Sequence, residues 1–140
     1  MSKFARLDNL KVLGGATAIF DLPELGEGAA LTLAPATEAN KPLLNATLKH
    51  SKSTGRSRKG QSASLIKENR NVDRNLYAKF VIKDWVNIKD DKGATVDFNE
   101  EEVLGLLKAL PDDLFDEIRM FAGDLASFRA DIQVDDIAGN

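Results

Sequence analysis

The sequence predicts an α+β fold, with an N-terminal β-hairpin packed on a mostly helical bundle, and three observations support this prediction. Apolar residues before residue 36 follow the period of two that is typical of strands. After residue 40 they recur every three or four positions, as along one face of a helix. The third is length, because 140 residues can form one ordinary domain with its own core. We therefore expect a single domain over residues 1–140, with a hairpin region at 1–36 and a helical part at 65–130.

The hairpin is predicted from two short apolar runs. They occupy residues 16–22 and 29–33, and a segment rich in Gly and Pro separates them. In the second run Leu31 and Leu33 fall on one face and Thr32 on the other, as in a half-buried strand. Two strands alone are only marginally stable in water, so we expect the hairpin to pack against the helices.

Two helices are predicted in the middle of the chain. A short one begins near Asn40, with Pro42 tolerated in its first turn and with Leu44 and Leu48 on one face. A longer one is predicted from residue 65 to about residue 84. Its stripe is formed by Leu65, Asn69, Val72, Leu76 and Phe80, with Ile66, Tyr77 and Val81 beside it.

A second small hairpin and a well-marked helix start follow. Residues 86–88 and 94–98 flank a turn in which Gly93 takes the left-handed position. Asn99 stands three residues before Glu102, which is the spacing of a capping box. This helix is expected to end before Pro111.

The last predicted helix, residues 111–129, has a stripe of large apolar side chains. We interpret this stripe first as core, although its regular spacing also suits a helix-in-groove interface. The single Trp is predicted to lie at a chain reversal, largely buried against the last two helices, with partner contact as the second interpretation. The candidate partner-binding residues are therefore aromatic or apolar: Trp85, Phe115, Phe121, Leu125 and Phe128.

Charge is distributed unevenly along the chain. Residues 49–74 hold eight Lys and Arg against two acidic residues, and residues 97–140 hold twelve Asp and Glu against three basic ones. The two parts could pair within one chain or with a second copy, which makes a homo-oligomer one candidate assembly. We predict an exposed, flexible basic loop at 49–64 and an acidic tail at 131–140. The basic candidates in the loop are Lys52, Arg56, Arg58 and Lys59.

Composition disfavours catalysis. The chain has no Cys and one His, His50, which excludes thiol catalysis and disfavours histidine-rich metal sites. We expect no enzyme activity, no metal and no cofactor. Residues 55–62 have the spacing of a phosphate loop, but Gln61 stands where that motif needs Lys. Nucleic-acid binding through the basic loop stays a lesser alternative, because the acidic part repels phosphate. No run is long and apolar enough for a membrane span, and we expect a cytoplasmic location.

Several short motifs stand in an order that resembles a known family. The sequence Asn-Lys-Pro-Leu-Leu precedes a predicted helix, and a basic polar segment follows that helix. The chain then contains a Trp, an acidic turn with Gly and a Val-Asp-Phe step. A Leu-Pro pair and a last helix complete the order. These motifs are residues 40–44, 81–88, 90–93, 96–99 and 106–111, with Phe128 as the closing aromatic. Together they resemble the small tail assembly chaperones of tailed bacteriophages.

That resemblance implies a function without catalysis. Such proteins bind the tape measure protein, keep its long apolar helices soluble, and help recruit tail tube subunits before being lost from the finished particle. A small structural protein of a phage tail or neck is the first alternative, and it would place the chain in the virion. A nucleic-acid-binding protein that uses the basic loop is the second alternative.

Overall fold

A computed structural model describes Lys3, residues 15–54 and residues 63–129. Two short strands come first, two helices follow, and a third strand then precedes the last two helices. In chain order they are β1 (Ala18–Asp21), β2 (Ala30–Leu33), α1 (Lys41–Thr54), α2 (Ala63–Phe80), β3 (Ile82–Val86), α3 (Glu100–Ala109) and α4 (Asp112–Ala122).

The predicted α+β class is confirmed, and the N-terminal hairpin forms as expected. Strands β1 and β2 pair antiparallel, with Phe20 opposite Leu31, and a 3₁₀ turn at Pro23–Leu25 lies in their connection. Leu31 and Leu33 are fully buried while Thr32 is half-buried, as the alternation predicted. One face of the hairpin therefore lies on the core.

The sheet has a third strand that the sequence analysis assigned to a helix. Helix α2 ends at Phe80, and β3 then pairs antiparallel with β2, giving the order β1-β2-β3. The apolar run at 80–82 is compatible with the helical period of 3.6 residues and with the strand period of two, so the sequence pattern does not distinguish helix from strand here. Pairing with the edge of β2 decides the outcome, and Trp85 lies opposite Leu31 on a strand rather than at a helix end.

Helix α1 also differs from its prediction. It begins after Asn40, whose side-chain oxygen accepts from the Leu43 amide at 3.2 Å, and it continues to Thr54. Residues 49–54 and 63–64 are therefore helical rather than loop, and residues 55–62 lie outside the described residues. The buried side chain is Leu43, whereas the predicted Leu48 is 54% exposed.

The face that α2 buries is rotated from the predicted stripe. Asn69 is exposed and Leu76 is half-buried. The buried residues are instead Arg74, Tyr77 and Ala78. The pattern of apolar residues did not predict this face, because a charged residue, Arg74, lies at its centre.

The turn and cap predictions around α3 are confirmed. Gly93 has φ +83°, and the amide of Val96 donates to the carbonyl of Ile88 across the second hairpin at 2.8 Å. The Asn99 side chain accepts from the Glu102 amide at 2.9 Å, which satisfies one of the free amides at the helix start. These two local signals fix how α3 leaves the sheet.

The last predicted helix is interrupted. Helix α4 ends at Ala122, with Gly123 at its C-cap, and residues 126–129 form a separate helical turn. The core runs between the sheet and these helices. Its largest fully buried side chains are Phe115, Phe128, Leu22, Leu31, Leu33, Leu107, Ile118, Val81 and Val103.

Candidate partner-binding surface

Most of the predicted C-terminal stripe lies inside the molecule. Phe115 and Phe128 are 0% and 1% exposed. The ring of Phe115 packs edge-on against Tyr77, with the ring centres 5.5 Å apart. These two phenylalanines belong to the monomer core, so they offer no accessible surface to a partner while the protein is folded.

Phe121 and Leu125 are half-buried at the margin of this core. The ring of Phe121 stands 5.4 Å from that of Phe20 on β1 and 6.2 Å from that of Phe128. The structure thus brings Phe121 and Phe128 together near the end of α4. Phe121 joins α4 to the sheet through Phe20, which is a packing role.

Trp85 lies in a different place, at the edge of the sheet. Its ring is half-buried at the margin of the core, and it stacks on Phe98, at 5.4 Å between ring centres and 89° between ring planes. The indole nitrogen donates to the carbonyl of Val96 at 2.9 Å. The predicted link between Trp85 and the second hairpin is therefore present, but Trp85 is only partly buried, and it faces that hairpin.

The Trp85–Phe98 pair, which we call the aromatic edge, combines exposed carbon with fixed geometry. Phe98 is 37% exposed, although it stands immediately before the cap of α3. The indole hydrogen bond and the perpendicular stacking hold both rings in place. Exposed acidic residues flank the pair in the sequence: Asp84, Asp90, Asp91, Asp97, Glu100 and Glu101.

A separate cluster of ion pairs and hydrogen bonds joins α2 to the end of α3 and to α4. Arg74 is 6% exposed, and it donates to the carbonyls of Leu107 and Leu110 at 2.8 and 3.4 Å and to Asp112 at 2.8 Å. Its guanidinium also lies over the Phe115 ring, 4.8 Å from the centroid. Arg74 therefore closes the end of α3 and fixes the start of α4 against α2.

Two more arginines extend this cluster across α2 and α4. Arg70 pairs with Asp116 at 2.8 Å and with Asp112 at 3.4 Å. Arg119 pairs with Asp73 at 2.7 Å and with Asp116 at 3.0 Å. Part of the basic middle segment is therefore neutralised by the acidic C-terminal part of the same chain.

The ion pairs hold the acidic members in their charged form. The hydrogen bond from Arg74 lowers the pKa of Asp112, and the hydrogen bond from Arg70 lowers that of Asp116. Burial, together with the nearby charge of Asp73, raises the pKa of the Tyr77 hydroxyl to about 12. These groups keep one protonation state around neutral pH.

Of the four basic candidates in the predicted loop, one lies among the described residues. The backbone of Lys52 lies in α1, whereas Arg56, Arg58 and Lys59 fall outside the described residues. Within residues 15–54 and 63–129, no group of three or more His, Asp or Glu side chains is arranged to hold a metal ion. None of the helices in those ranges combines the length and the apolar character that crossing a membrane requires.

The sequence analysis missed the arginine cluster, although a signal was available. Arg70 and Arg74 are four residues apart on α2, and Asp112 and Asp116 are four residues apart on α4. Such spacing places both members of each pair on one helix face, so matching basic and acidic faces predict two neighbouring helices. Phe98 was also missed as a surface residue, because its position before a cap suggested only local packing.

A family model for the YdaY prophage protein matches residues 36–140, which include α1 to α4, β3 and the aromatic edge. No curated protein and no solved structure matches this chain. The family match leaves out only the first two strands and the segment before them. Because it covers well over half of the sequence, the chain belongs to the YdaY prophage protein family and is phage-derived.

Proposed function

We propose that this protein is a phage tail assembly chaperone that binds the tape measure protein and assists assembly of the tail tube in the host cytoplasm. Membership of a prophage family supports the phage setting. The order of motifs from residue 40 to Phe128 supports the finer assignment, because it resembles that of tail assembly chaperones. The proposal includes no catalysis and no cofactor.

The aromatic edge is the observation that carries the proposal. Trp and other aromatic residues that stay partly exposed supply much of the energy at protein interfaces, because they bury large apolar area with few rotatable bonds. Trp85 and Phe98 are held by each other and by the Val96 carbonyl. A partner therefore meets a surface that is already ordered, which lowers the entropic cost of binding.

The charge around this edge is acidic on balance, because between residues 83 and 101 six exposed carboxylates outnumber three exposed lysines, and this balance suits one class of partner. Asp84 and Asp97 are exposed beside the two aromatic residues in the sequence, and Glu100 and Glu101 begin the next helix. A helix with an apolar stripe bordered by Lys or Arg would match this arrangement. The long helices of a tape measure protein are the partner that the family resemblance implies.

The arginine cluster has a structural role rather than a catalytic one. Its acidic members are tied to arginines, and the pKa values of Asp112 and Asp116 are lowered by those hydrogen bonds. General acid–base catalysis needs groups whose pKa lies near the working pH. Here the shifts go the other way, which is typical of a cluster that holds helices together.

Coexpression with the tape measure protein of the same prophage tests the proposal. We expect the wild-type protein to raise the solubility of that partner and to copurify with it. Phe98→Asp should abolish copurification, because it places a charge in the centre of the aromatic edge. Met120→Asp is the matched control, since Met120 is 76% exposed on α4 and lies outside the edge.

Three outcomes would overturn parts of this proposal. If the wild type neither solubilises nor copurifies with the tape measure protein, the chaperone function is wrong. If the protein is found stoichiometrically in finished particles, the structural tail or neck component takes its place. If Phe98→Asp and Met120→Asp both leave copurification intact while circular dichroism shows folded protein, the aromatic edge is not the binding surface.

A further inference from the structure

Helix α1 presents a basic surface to solvent. Its buried side chain is Leu43, whereas Lys41, Asn45, Leu48 and Lys49 are exposed. The exposed four stand at positions i, i+4, i+7 and i+8, which places them on one side of the helix, away from Leu43. We call these four residues the basic face. The sequence of α1 contains lysines but no Asp or Glu, so no carboxylate of this helix balances their charge.

The basic face has an apolar centre. Leu48 is 54% exposed, with Lys41 two turns before it and Lys49 next to it. A single exposed leucine is common on protein surfaces and means little alone. Together with the lysines, however, it makes α1 a helix whose exposed apolar residue is bordered by positive charge. This is the kind of helix that suits the aromatic edge.

The aromatic edge has the complementary chemistry. Phe98 is 37% exposed and Trp85 is half-buried, so both leave apolar carbon at the surface. Between residues 83 and 101, exposed carboxylates outnumber exposed lysines. The molecule therefore exposes apolar area flanked by acidic side chains at the edge, and apolar area flanked by basic side chains on α1.

These two surfaces do not cover each other within one chain. Helix α1 packs on α2, and both Leu48 and Phe98 keep a large exposed fraction in the folded chain. A contact between the two surfaces therefore needs two copies of the protein.

We propose that α1 of a second copy docks on the aromatic edge. Leu48 of one copy then meets Phe98 of the other, and the lysines of the basic face meet the acidic side chains of the edge. Because the contact joins two different surfaces, it is a head-to-tail interface. This contact goes beyond the function proposed above and does not depend on the tape measure protein.

Sedimentation equilibrium of the full-length chain tests the contact. The surfaces are small, so we expect a weak, reversible association in which the average mass rises above 15.3 kDa with protein concentration. Leu48→Asp should weaken it about tenfold or more, because a carboxylate would then face an acidic surface. Thr47→Asp is the matched control, since Thr47 is exposed on α1 outside the basic face. The control should stay within about twofold of the wild type, because exposed charges away from the contact are largely screened by salt.

Mixing two variants shows whether the interface is head-to-tail. Leu48→Asp keeps an intact aromatic edge, and Phe98→Asp keeps an intact basic face. At concentrations where the wild type associates, each variant alone should be monomeric, and circular dichroism should show that both are folded. An equimolar mixture should form a mixed assembly through the two intact surfaces.

Charge reversal tests the same contact with the apolar residues left in place. Lys41→Glu with Lys49→Glu should abolish association. Adding Asp97→Lys with Glu100→Lys in the same chain should restore it, because all four positions are exposed and the two charges exchange sides.

Four results would each overturn the proposal. They are a wild-type protein that stays monomeric up to about 500 µM, a Leu48→Asp variant that associates like the wild type, a mixture of the two variants that stays monomeric, and a charge reversal that restores nothing. Leu48→Asp keeps the aromatic edge, so its copurification with the tape measure protein tests the chaperone function separately.

Discussion

Helix α2 meets α3 and α4 through charge, whereas the sheet meets the second hairpin through two aromatic rings and one indole hydrogen bond. At the first junction Arg74 satisfies two carbonyls at the end of α3 and one carboxylate of α4. At the second, Trp85 donates one hydrogen bond and stacks on Phe98, which stays 37% exposed. The first junction is closed to solvent at its centre, and the second leaves aromatic carbon at the surface.

This difference separates a structural contact from a candidate binding contact. Within the described residues, no buried side-chain nitrogen or oxygen lacks a hydrogen-bond partner. The arginine cluster thus has its polar groups satisfied internally and gains little from a further protein. The aromatic edge still has apolar area to bury, and burying that area on binding lowers the free energy.

The largest effect is expected from removing the centre of the charged junction. Arg74→Ala leaves the carbonyls of Leu107 and Leu110 without their donor and removes the cation over the Phe115 ring. We expect a loss of about 3–5 kcal/mol in the free energy of unfolding, measured by urea titration. Arg74→Lys should recover only part of it, because an ammonium lacks the planar fork of donors. A loss below about 1 kcal/mol would show that the junction does not depend on this side chain.

A smaller loss of stability is expected at the aromatic edge. Trp85→Ala removes a half-buried ring and its hydrogen bond to Val96, which should cost about 2–3 kcal/mol. Trp85→Phe keeps a ring and loses the donor, so it should cost about 1 kcal/mol. Urea titration of both variants separates packing from hydrogen bonding. Equal losses would mean that the hydrogen bond accounts for the whole effect.

The two junctions also differ in how far the sequence predicted them. The cap at Asn99 and the turn at Gly93 were predicted because their signals are local and chemically specific. The first part of the strand at Ile82–Val86, up to about residue 84, was predicted as helix because the placement of this strand depends on pairing with β2, far away in sequence. The C-terminal stripe was interpreted first as core, and the burial of Phe115 and Phe128 confirms that interpretation for these two residues.

A third prediction concerns the backbone at Gly28, in the connection between β1 and β2. Gly28 has φ +76°, and a Cβ there would lie 2.9 Å from the side-chain nitrogen of Asn87, which donates to the Gly28 carbonyl. Gly28→Ala should therefore cost about 1–2 kcal/mol in thermal or urea unfolding. Gly105→Ala is the matched control on α3, where nothing lies within 4 Å and Ala favours the helix, so it should stabilise by about 0.5–1 kcal/mol. Destabilisation of equal size at both sites would contradict this explanation.

The smallest effect concerns the acid response of the charged junction. The pKa values of Asp112 and Asp116 are lowered in the folded protein, chiefly by hydrogen bonds from Arg74 and Arg70. The unfolded chain therefore binds protons at these two carboxylates more readily than the folded protein does. At a pH above their ordinary pKa of about 3.8, the charged carboxylates stabilise the fold. This stabilisation is lost as the pH falls from about 3.8 through the lower pKa values of the folded state. Asp112→Asn with Asp116→Asn should therefore flatten the fall in melting temperature below pH 4. Asp113→Asn with Glu117→Asn is the matched control, since these exposed acids on α4 form no ion pair among the described residues. If the control pair flattens the curve as much as the paired acids do, net charge rather than the arginine cluster sets the acid response.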